Sequence, residues 1–409
     1  MSKKTIIYTG GFELPDKNAA AQRVLANAKI FRELGFNVIL IGINKELSTY
    51  THIKDTKSSV EGFVTWSIPY PSNKKLWFKH ITSNIHIKYI TKHYYSKDLY
   101  SIVCYNYPAV ALYKIKKMCI QSNTLFIPDV TEWYESSGGS ILFNTVKWID
   151  TSLRMNFIHP KADGLITTSK YLTNFYKKRS CTTVELPTLY DVSSLHHINS
   201  TYSEVSIIRL MYAGSAFNLD RIDKTKSNIK DRLDKIIVML DKVYQYKKNF
   251  LLNIYGLNKE NYLLVFPEHE NILNNLSDVI IFHGRKPYFE IIENIQKSDF
   301  TIFMRNIERV IEAGFPTKFS ESISYGTPVI SSMISNIEKY AIEGKNSYSI
   351  SLNNEDKQVK KMIEILCLSD NKRQSMKKYC LKNKIFDYKE YVSVVKEFLY
   401  KIEKKHEIN

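Results

Sequence analysis

Residues 207–215 read IIRLMYAGS, and residues 5–11 read TIIYTGG. Each is a short apolar, β-branched run that ends in a glycine turn and gives way to a helical pattern. A second start of this kind near the middle of a 409-residue chain implies two similar units in tandem. Length agrees, because single cores stop growing near ~250–300 residues.

Outward from these two runs the same alternation continues. In the first half, strands are expected at Thr5–Thr9, Asn37–Gly42, Phe63–Ile68, Ile102–Tyr105, Leu125–Pro128 and Gly164–Thr167. In the second half they are expected near Leu210–Ala213, Leu251–Tyr255, Val279–Phe282, Phe300–Met304 and Val329–Ser331. Helical patterns fill the gaps. The clearest runs from Asn18 to Leu34, with Ala21, Val24, Leu25, Ala28 and Phe31 at helical spacing and Gly35 as its stop. Strands alternating with helices predict the α/β class, with parallel sheets covered by helices.

The segment LPTLYDVSSLHHINSTYSEVS, Leu186–Ser206, mixes Pro, Ser, Thr and Asn with little periodicity and reads as a linker. The expected organisation is a Rossmann-like unit over 1–186, a linker over 187–206, a second Rossmann-like unit over 207–385, and a terminal helix over 386–409 packing back toward the first unit. Ligands of such sheets bind outside the carboxyl ends of the strands, which directs attention to the cleft between the units.

Composition narrows the class. Hydrophobic residues at 44% and charged residues at 24% are ordinary for a folded protein, so disorder is not expected. No apolar run approaches ~18 residues, which argues against a membrane-spanning helix. The opening MSKKTIIYTGGF has no signal-peptide h-region. Five scattered cysteines, Cys104, Cys119, Cys181, Cys367 and Cys380, suit reduced thiols and a cytoplasmic setting. A net charge of +17 would attract phosphates, nucleic acid or an anionic membrane, and a lysine-rich composition accounts for it equally well. Neither glycine turn is a G-x-G-x-x-G, and no phosphate-binding G-x-x-x-x-G-K-[ST], H-E-x-x-H or paired C-x-x-C occurs.

The chemistry concentrates in Phe300–Ile330, FTIFMRNIERVIEAGFPTKFSESISYGTPVI. Gly314, Phe315, Pro316, Thr317 and Lys318 form a turn that opens a helix. Such a turn offers backbone N–H groups and the positive end of the helix dipole, an anion site suited to a diphosphate. Pro316 suits the helix entry. Lys318 adds charge, and Glu321, one turn in, can accept hydrogen bonds from a ribose diol.

This stretch resembles the donor-binding motif of retaining family-4 glycosyltransferases, including the GFPTK form found among bacterial capsule and O-antigen enzymes. The resemblance extends to Gly10-Gly11, to Asp129–Trp133, to ITTSKYL at Ile166–Leu172, to the YAGS turn with Gly214 and Ser215, and to FHGR ending at Arg285. It implies the GT-B fold, two Rossmann-like domains facing across a cleft. It implies a nucleotide-sugar donor, a UDP-sugar first, a saccharide or lipid-linked saccharide acceptor, and retention of configuration. By the same resemblance Glu321 binds the donor ribose, and Arg285 or Lys230, with Arg305 a third candidate, neutralises the departing diphosphate. The family carries two glutamates with seven residues between them. Here the first position is Ala313, leaving Glu312 one step earlier, or the backbone N–H groups of Gly314 and Phe315, to hold the sugar.

No Asp-x-Asp occurs, so no metal cofactor is expected and protein cations must take the leaving-group charge. Gly10 and Gly11 allow close approach of sugar or phosphate. Asp129 stands at a strand end, where a carboxylate orients an acceptor hydroxyl or caps a helix. Finally, Lys74–Lys97 holds six lysines, three histidines and no acid, with Trp77, Phe78, Tyr89, Tyr94 and Tyr95 interleaved. That mixture suits peripheral contact with an anionic membrane, as it suits a solvated helix. Two other readings stand beside the enzyme. One is a non-catalytic glycosyltransferase-like partner subunit. The other, nucleic-acid binding, has no recognisable module behind it.

Overall fold

The structure, a computed structural model, describes residues 3–15, 19–95, 97–133, 141–194, 207–217 and 229–408. The first sheet contains β1 (Thr5–Gly10), β2 (Asn37–Asn44), β3 (Ser58–Val60), β4 (Phe63–Pro69), β5 (Leu99–Tyr105), β6 (Leu125–Val130), β7 (Leu165–Thr167) and β8 (Thr183–Glu185). Their spatial order is β3-β4-β2-β1-β5-β6-β7-β8, parallel throughout except for the β3–β4 pair. The second contains β9 (Ile208–Ala213), β10 (Phe250–Tyr255), β11 (Ile280–Gly284), β12 (Phe300–Phe303), β13 (Val329–Ser331) and β14 (Ser347–Ser349), in the all-parallel order β11-β10-β9-β12-β13-β14.

Burial explains the composition of these strands. Every residue of β1 and β6 is buried, because helices cover both faces, and such strands read as unbroken apolar runs. Side chains still alternate across the sheet. Ile6 and Tyr8 join one core cluster while Ile7 joins the cluster on the opposite face. In each sheet the strand order reverses beside the founding strand, between β1 and β5 and between β9 and β12. These reversals are the topological switch points at which doubly wound sheets open a crevice.

Strands β3, β8 and β14 were not legible in the sequence. Each is three residues long, too short to display a period. The long first helix is described from Ala19 to Glu33; Asn18 lies outside the described residues. A single helix over Lys74–Lys97 is corrected. The segment forms helices Lys74–Thr82 and Ile85–Ile90 and then a π-type turn, Thr91–Tyr95, and Ser96 lies outside the described residues. No residue of the first helix is buried, whereas Ile87 and Ile90 of the second enter the core.

The domains are tied at the hinge. Tyr190 N donates to Phe386 O and Tyr388 N to Tyr190 O, at 2.8 and 2.9 Å, so the described part of the connecting segment pairs with the returning chain end. Residues 195–206 of the expected linker lie outside the described residues. The last helix, Val392–Ile408, lies on the first domain. A Cβ at Gly164 would meet Phe398 Cζ at 2.5 Å, which shows how closely that helix seats.

Candidate active site in the interdomain cleft

The cleft is lined from the first domain by Arg23, Tyr105, Thr131, Glu132 and Thr168, and from the second by Lys230, Arg305, Val310, Gly314, Phe315 and Thr317. Its floor on the second domain is a charge cluster. Asp231 is 2% exposed and accepts from Arg305 Nε at 2.5 Å, from Tyr212 Oη at 2.9 Å, and from Lys318 Nζ. Lys318 also lies 4.6 Å over the Tyr212 ring. Burial would raise the Asp231 carboxyl, but Lys318 and Arg305 hold it well below the usual carboxylate range. Burial draws the Lys318 ammonium below its ordinary value, against the pull of Asp231. Lys230 stands at the rim, its ammonium also lowered, by burial and then by Arg305. Asp231 thus faces Lys318 and Arg305, while Lys230 is drawn first by Glu132 of the first domain and then by Asp231, and the remaining positive charge lies where the helix Thr317–Ser324 begins. The dipole of that helix adds to it.

Gly214 makes the arrangement possible. It adopts φ +136, and a Cβ there would meet Lys318 Nζ at 2.7 Å. Ser215 follows, exposed at the turn. Pro316 caps the helix Thr317–Ser324, and Phe315 anchors it edge-on against Tyr340 with ring centroids 5.6 Å apart. Gly314 has room for a Cβ, whose closest neighbour would be Ile311 O at 3.7 Å, so its backbone could carry a side chain.

The remaining sequence candidates separate into three groups. Glu321 is part-buried and accepts from Tyr288 Oη at 2.9 Å; burial raises its carboxyl pKa, against Tyr288 and Lys318. Arg285 is exposed just beyond β11, outside the lining of the cleft pocket. Glu312 is half-buried, and its Oε1 accepts from Ser335 N at 2.5 Å, which fixes the carboxylate. Ala313 is fully buried against Val130, Met155, Leu172 and Tyr176 of the first domain, and its carbonyl accepts from Ser169 Oγ at 2.8 Å.

Asp129 requires correction as an acceptor-orienting group or helix cap. It is 1% exposed, and Arg23 bonds it through Nη2 at 2.7 Å and Nε at 3.0 Å while Tyr8 Oη donates at 2.5 Å. The same guanidinium donates through Nη1 to Leu186 O at 2.8 Å and Pro187 O at 3.1 Å. Asp129 is therefore a buried counter-ion that fastens the hinge. Gly10 likewise serves packing, since a Cβ would meet Tyr105 O at 2.5 Å, whereas Gly11 faces open space.

Sequence reasoning missed Arg23, Asp231 and the threonines. A polar pair, Arg23 and Asn27, in a helix buried from Arg23 to Phe31 was the available signal for the first. Asp231 sits between Lys230 and Arg232 and looks like a solvated charge run.

The comparisons with known proteins bear on the fold. Residues 227–382 match the family Glycosyl transferases group 1. No curated protein sequence matches the chain. Among solved structures, sucrose-phosphate synthase from Thermosynechococcus elongatus aligns with a TM-score of 0.67 at 11% identity, covering 98% of this chain and 100% of that one. HepE from Anabaena, in complex with UDP and glucose, aligns at 0.61 and 12% identity over 97% and 99%. A variant of S. aureus TarM, in complex with Fondaparinux, alpha-GlcNAc-glycerol and UDP, aligns at 0.63 and 10% over 98% and 100%. The chain has the GT-B fold, and the greater part of its second domain matches the group 1 glycosyltransferase family.

Proposed function

We propose that the protein is a retaining glycosyltransferase that moves a sugar from a nucleotide-sugar donor, a UDP-sugar first, to a saccharide or lipid-linked saccharide. The observation that carries this reading is the convergence of Lys318, Arg305 and Lys230 on the start of the helix Thr317–Ser324, beneath a cleft closed on its other side by the first domain. Charge on a departing diphosphate grows in the transition state, and fixed cations and amides aimed at it lower the barrier. Two of the comparison structures hold UDP, which supports the donor class. Retention follows the resemblance. With Asp129 enclosed, the acceptor proton passes to an oxygen of the leaving diphosphate on the same face.

The cations take the place of a metal in this reading. Turnover is expected to survive EDTA; its loss and recovery with magnesium or manganese would overturn that part. A thermal-shift panel of nucleotide sugars identifies the donor, because a ligand that binds the folded state raises its stability. Product NMR then reads the anomeric outcome, and an α-linked donor yielding a β-glycoside would overturn retention. A partner subunit without turnover remains a second reading, favoured by the enclosed Ala313. Donor binding with no transfer to any acceptor would select it.

Peripheral docking on the inner face of the cell membrane belongs to the same proposal. No described helix is long and apolar enough to cross a membrane. The helix Ile141–Leu153 carries Leu142, Val146, Ile149 and Leu153 in one helical stripe, and all four are exposed, Leu142 by 76%. Lysines 74, 75 and 79 lie on a helix with no buried residue, and Lys114 Nζ, from the Ala109–Gln121 helix, donates to Thr82 O at its end. That intervening helix contacts both of the others. Apolar stripe and basic helix together suit an anionic lipid surface. Replacing Lys74, Lys75 and Lys79 by glutamate should weaken binding to anionic vesicles at low salt, and unchanged binding would return this face to solvent.

A further inference from the structure

Beside the cleft, the first domain holds a second pocket. Its walls are the residues after β2, the end of β4, the helices Lys74–Thr82 and Ile85–Ile90, and Tyr107. Tyr107 stands two residues beyond Tyr105, which lines the cleft, so the Cα atoms of these two lining residues are at most about 7 Å apart. Both pockets lie at carboxyl ends of strands of the first sheet, β2, β4 and β5 for this one and β5, β6 and β7 for the cleft, where ligands of such sheets are held.

The chemistry of this pocket is one-sided. Lys79, His80 and His86 face it, Thr51 and Asn84 supply neutral hydrogen-bonding groups, and none of its lining residues is an acid. Neither imidazole hydrogen-bonds to protein among the described residues. Burial lowers the pKa of His80, and burial, His80 and Lys79 together lower that of His86, so both rings are held toward the neutral form and Lys79 is the standing cation of the pocket. Ile68, Pro69 and Leu76 complete an apolar wall. A neutral sugar would leave Lys79 without a counter-charge. A phosphate ester would pair with it and restore charge to the imidazoles.

We propose that this pocket binds the phosphate-bearing end of the acceptor, setting its saccharide end in the cleft. The inference rests on the transferase reading and adds the acceptor's chemical class. Two sources share that chemistry, a lipid-linked diphosphate and a soluble phosphorylated saccharide.

Isothermal titration with farnesyl diphosphate, inorganic pyrophosphate and farnesol tests it. The full-length chain carries Lys318→Ala throughout, which weakens the cleft's own anion site, and UDP in excess occupies what remains of it. Both phosphate-bearing probes should bind and farnesol should not. The added pair Lys79→Ala and His86→Ala should weaken both at least tenfold, with the circular dichroism spectrum and melting temperature retained. Farnesyl diphosphate binding tenfold tighter than pyrophosphate assigns the lipid source, and equal affinity assigns the soluble one. Probe affinities unmoved by the pair, or farnesol binding as well as farnesyl diphosphate, overturn the proposal. Nucleotide-sugar binding in the wild-type chain is a separate measurement, and its absence would overturn the transferase reading while leaving this pocket's result intact.

Discussion

The two domains place a tyrosine at equivalent positions of their first strands, each bonded to an aspartate that basic side chains also hold, and put these clusters to opposite uses. In the first, Tyr8 of β1 and Arg23 enclose Asp129. In the second, Tyr212 of β9, Arg305 and Lys318 surround Asp231. One guanidinium and one carboxylate cancel in the first cluster, and the guanidinium's other donors end on Leu186 and Pro187 carbonyls. Charge and donor capacity both close on the protein. The second cluster sets one carboxylate against two cations, with Lys230 a third at the rim. Its surplus charge faces the cleft. An ion cluster at a switch point is structural when it closes on itself and functional when it leaves a charge for a ligand.

The largest effect should come from breaking the closed cluster. Arg23→Ala leaves Asp129 buried without its counter-ion, and removal of one partner from such a pair costs about 3–5 kcal/mol. Urea unfolding measures it. Replacing Asp129 as well, by leucine, should recover part of the loss, because the uncompensated charge is then gone. A loss below about 1 kcal/mol with abolished turnover would reverse the contrast and make Arg23 a ligand group.

Opening the second cluster should act on rate more than on stability. Lys318→Ala keeps Arg305 and Tyr212 on Asp231, so the buried carboxylate stays paired. The leaving group loses a cation, and kcat/KM should fall about 100- to 1,000-fold, the scale of losing one transition-state donor. Steady-state kinetics on folded protein decides this, and wild-type turnover would move the donor site elsewhere.

How much of this contrast was legible beforehand depended on length scale. Strands such as β1 and β6 and the repeat IIRLMYAGS announce themselves because an apolar run and a glycine turn are local. The GFPTK turn was visible for the same reason. The partner of a charge was not. Asp129 and Arg23 are 106 residues apart, and Lys318 and Asp231 are 87 apart, so nothing in either neighbourhood says which carboxylate is enclosed and which is shared. Glu312 shows the limit most sharply. Its type and position suit a sugar ligand, yet one of its oxygens already accepts from Ser335 N, 23 residues on.

The glycines of the two turns carry the comparison to a finer scale. Gly214→Ala sets a methyl group 2.7 Å from Lys318 Nζ at a φ of +136, which side chains rarely adopt. Strain of this kind costs on the order of 1–3 kcal/mol. The ammonium is the end of a flexible chain and can retreat, so the strain should appear as displacement of Lys318 and a rise in donor KM alongside a lowered melting temperature. Unchanged donor KM would separate Gly214 from the anion site.

Gly11→Ala should have the smallest effect. Nothing lies within 4 Å of its added Cβ and its φ is outside the left-handed region, so stability should change by less than about 0.5 kcal/mol. Its neighbour is the control. At Gly10 the same methyl group would meet the Tyr105 carbonyl at 2.5 Å, and a backbone atom held in the β1–β5 ladder has no flexible end to yield. The two substitutions differ by one residue and by the whole of the packing term. If stability is retained in Gly11→Ala while KM for the acceptor rises and KM for the donor does not, Gly11 is where the acceptor touches the backbone. If both constants stay at wild-type values, the double glycine serves the sheet through Gly10 alone, and the first domain presents its acceptor surface elsewhere.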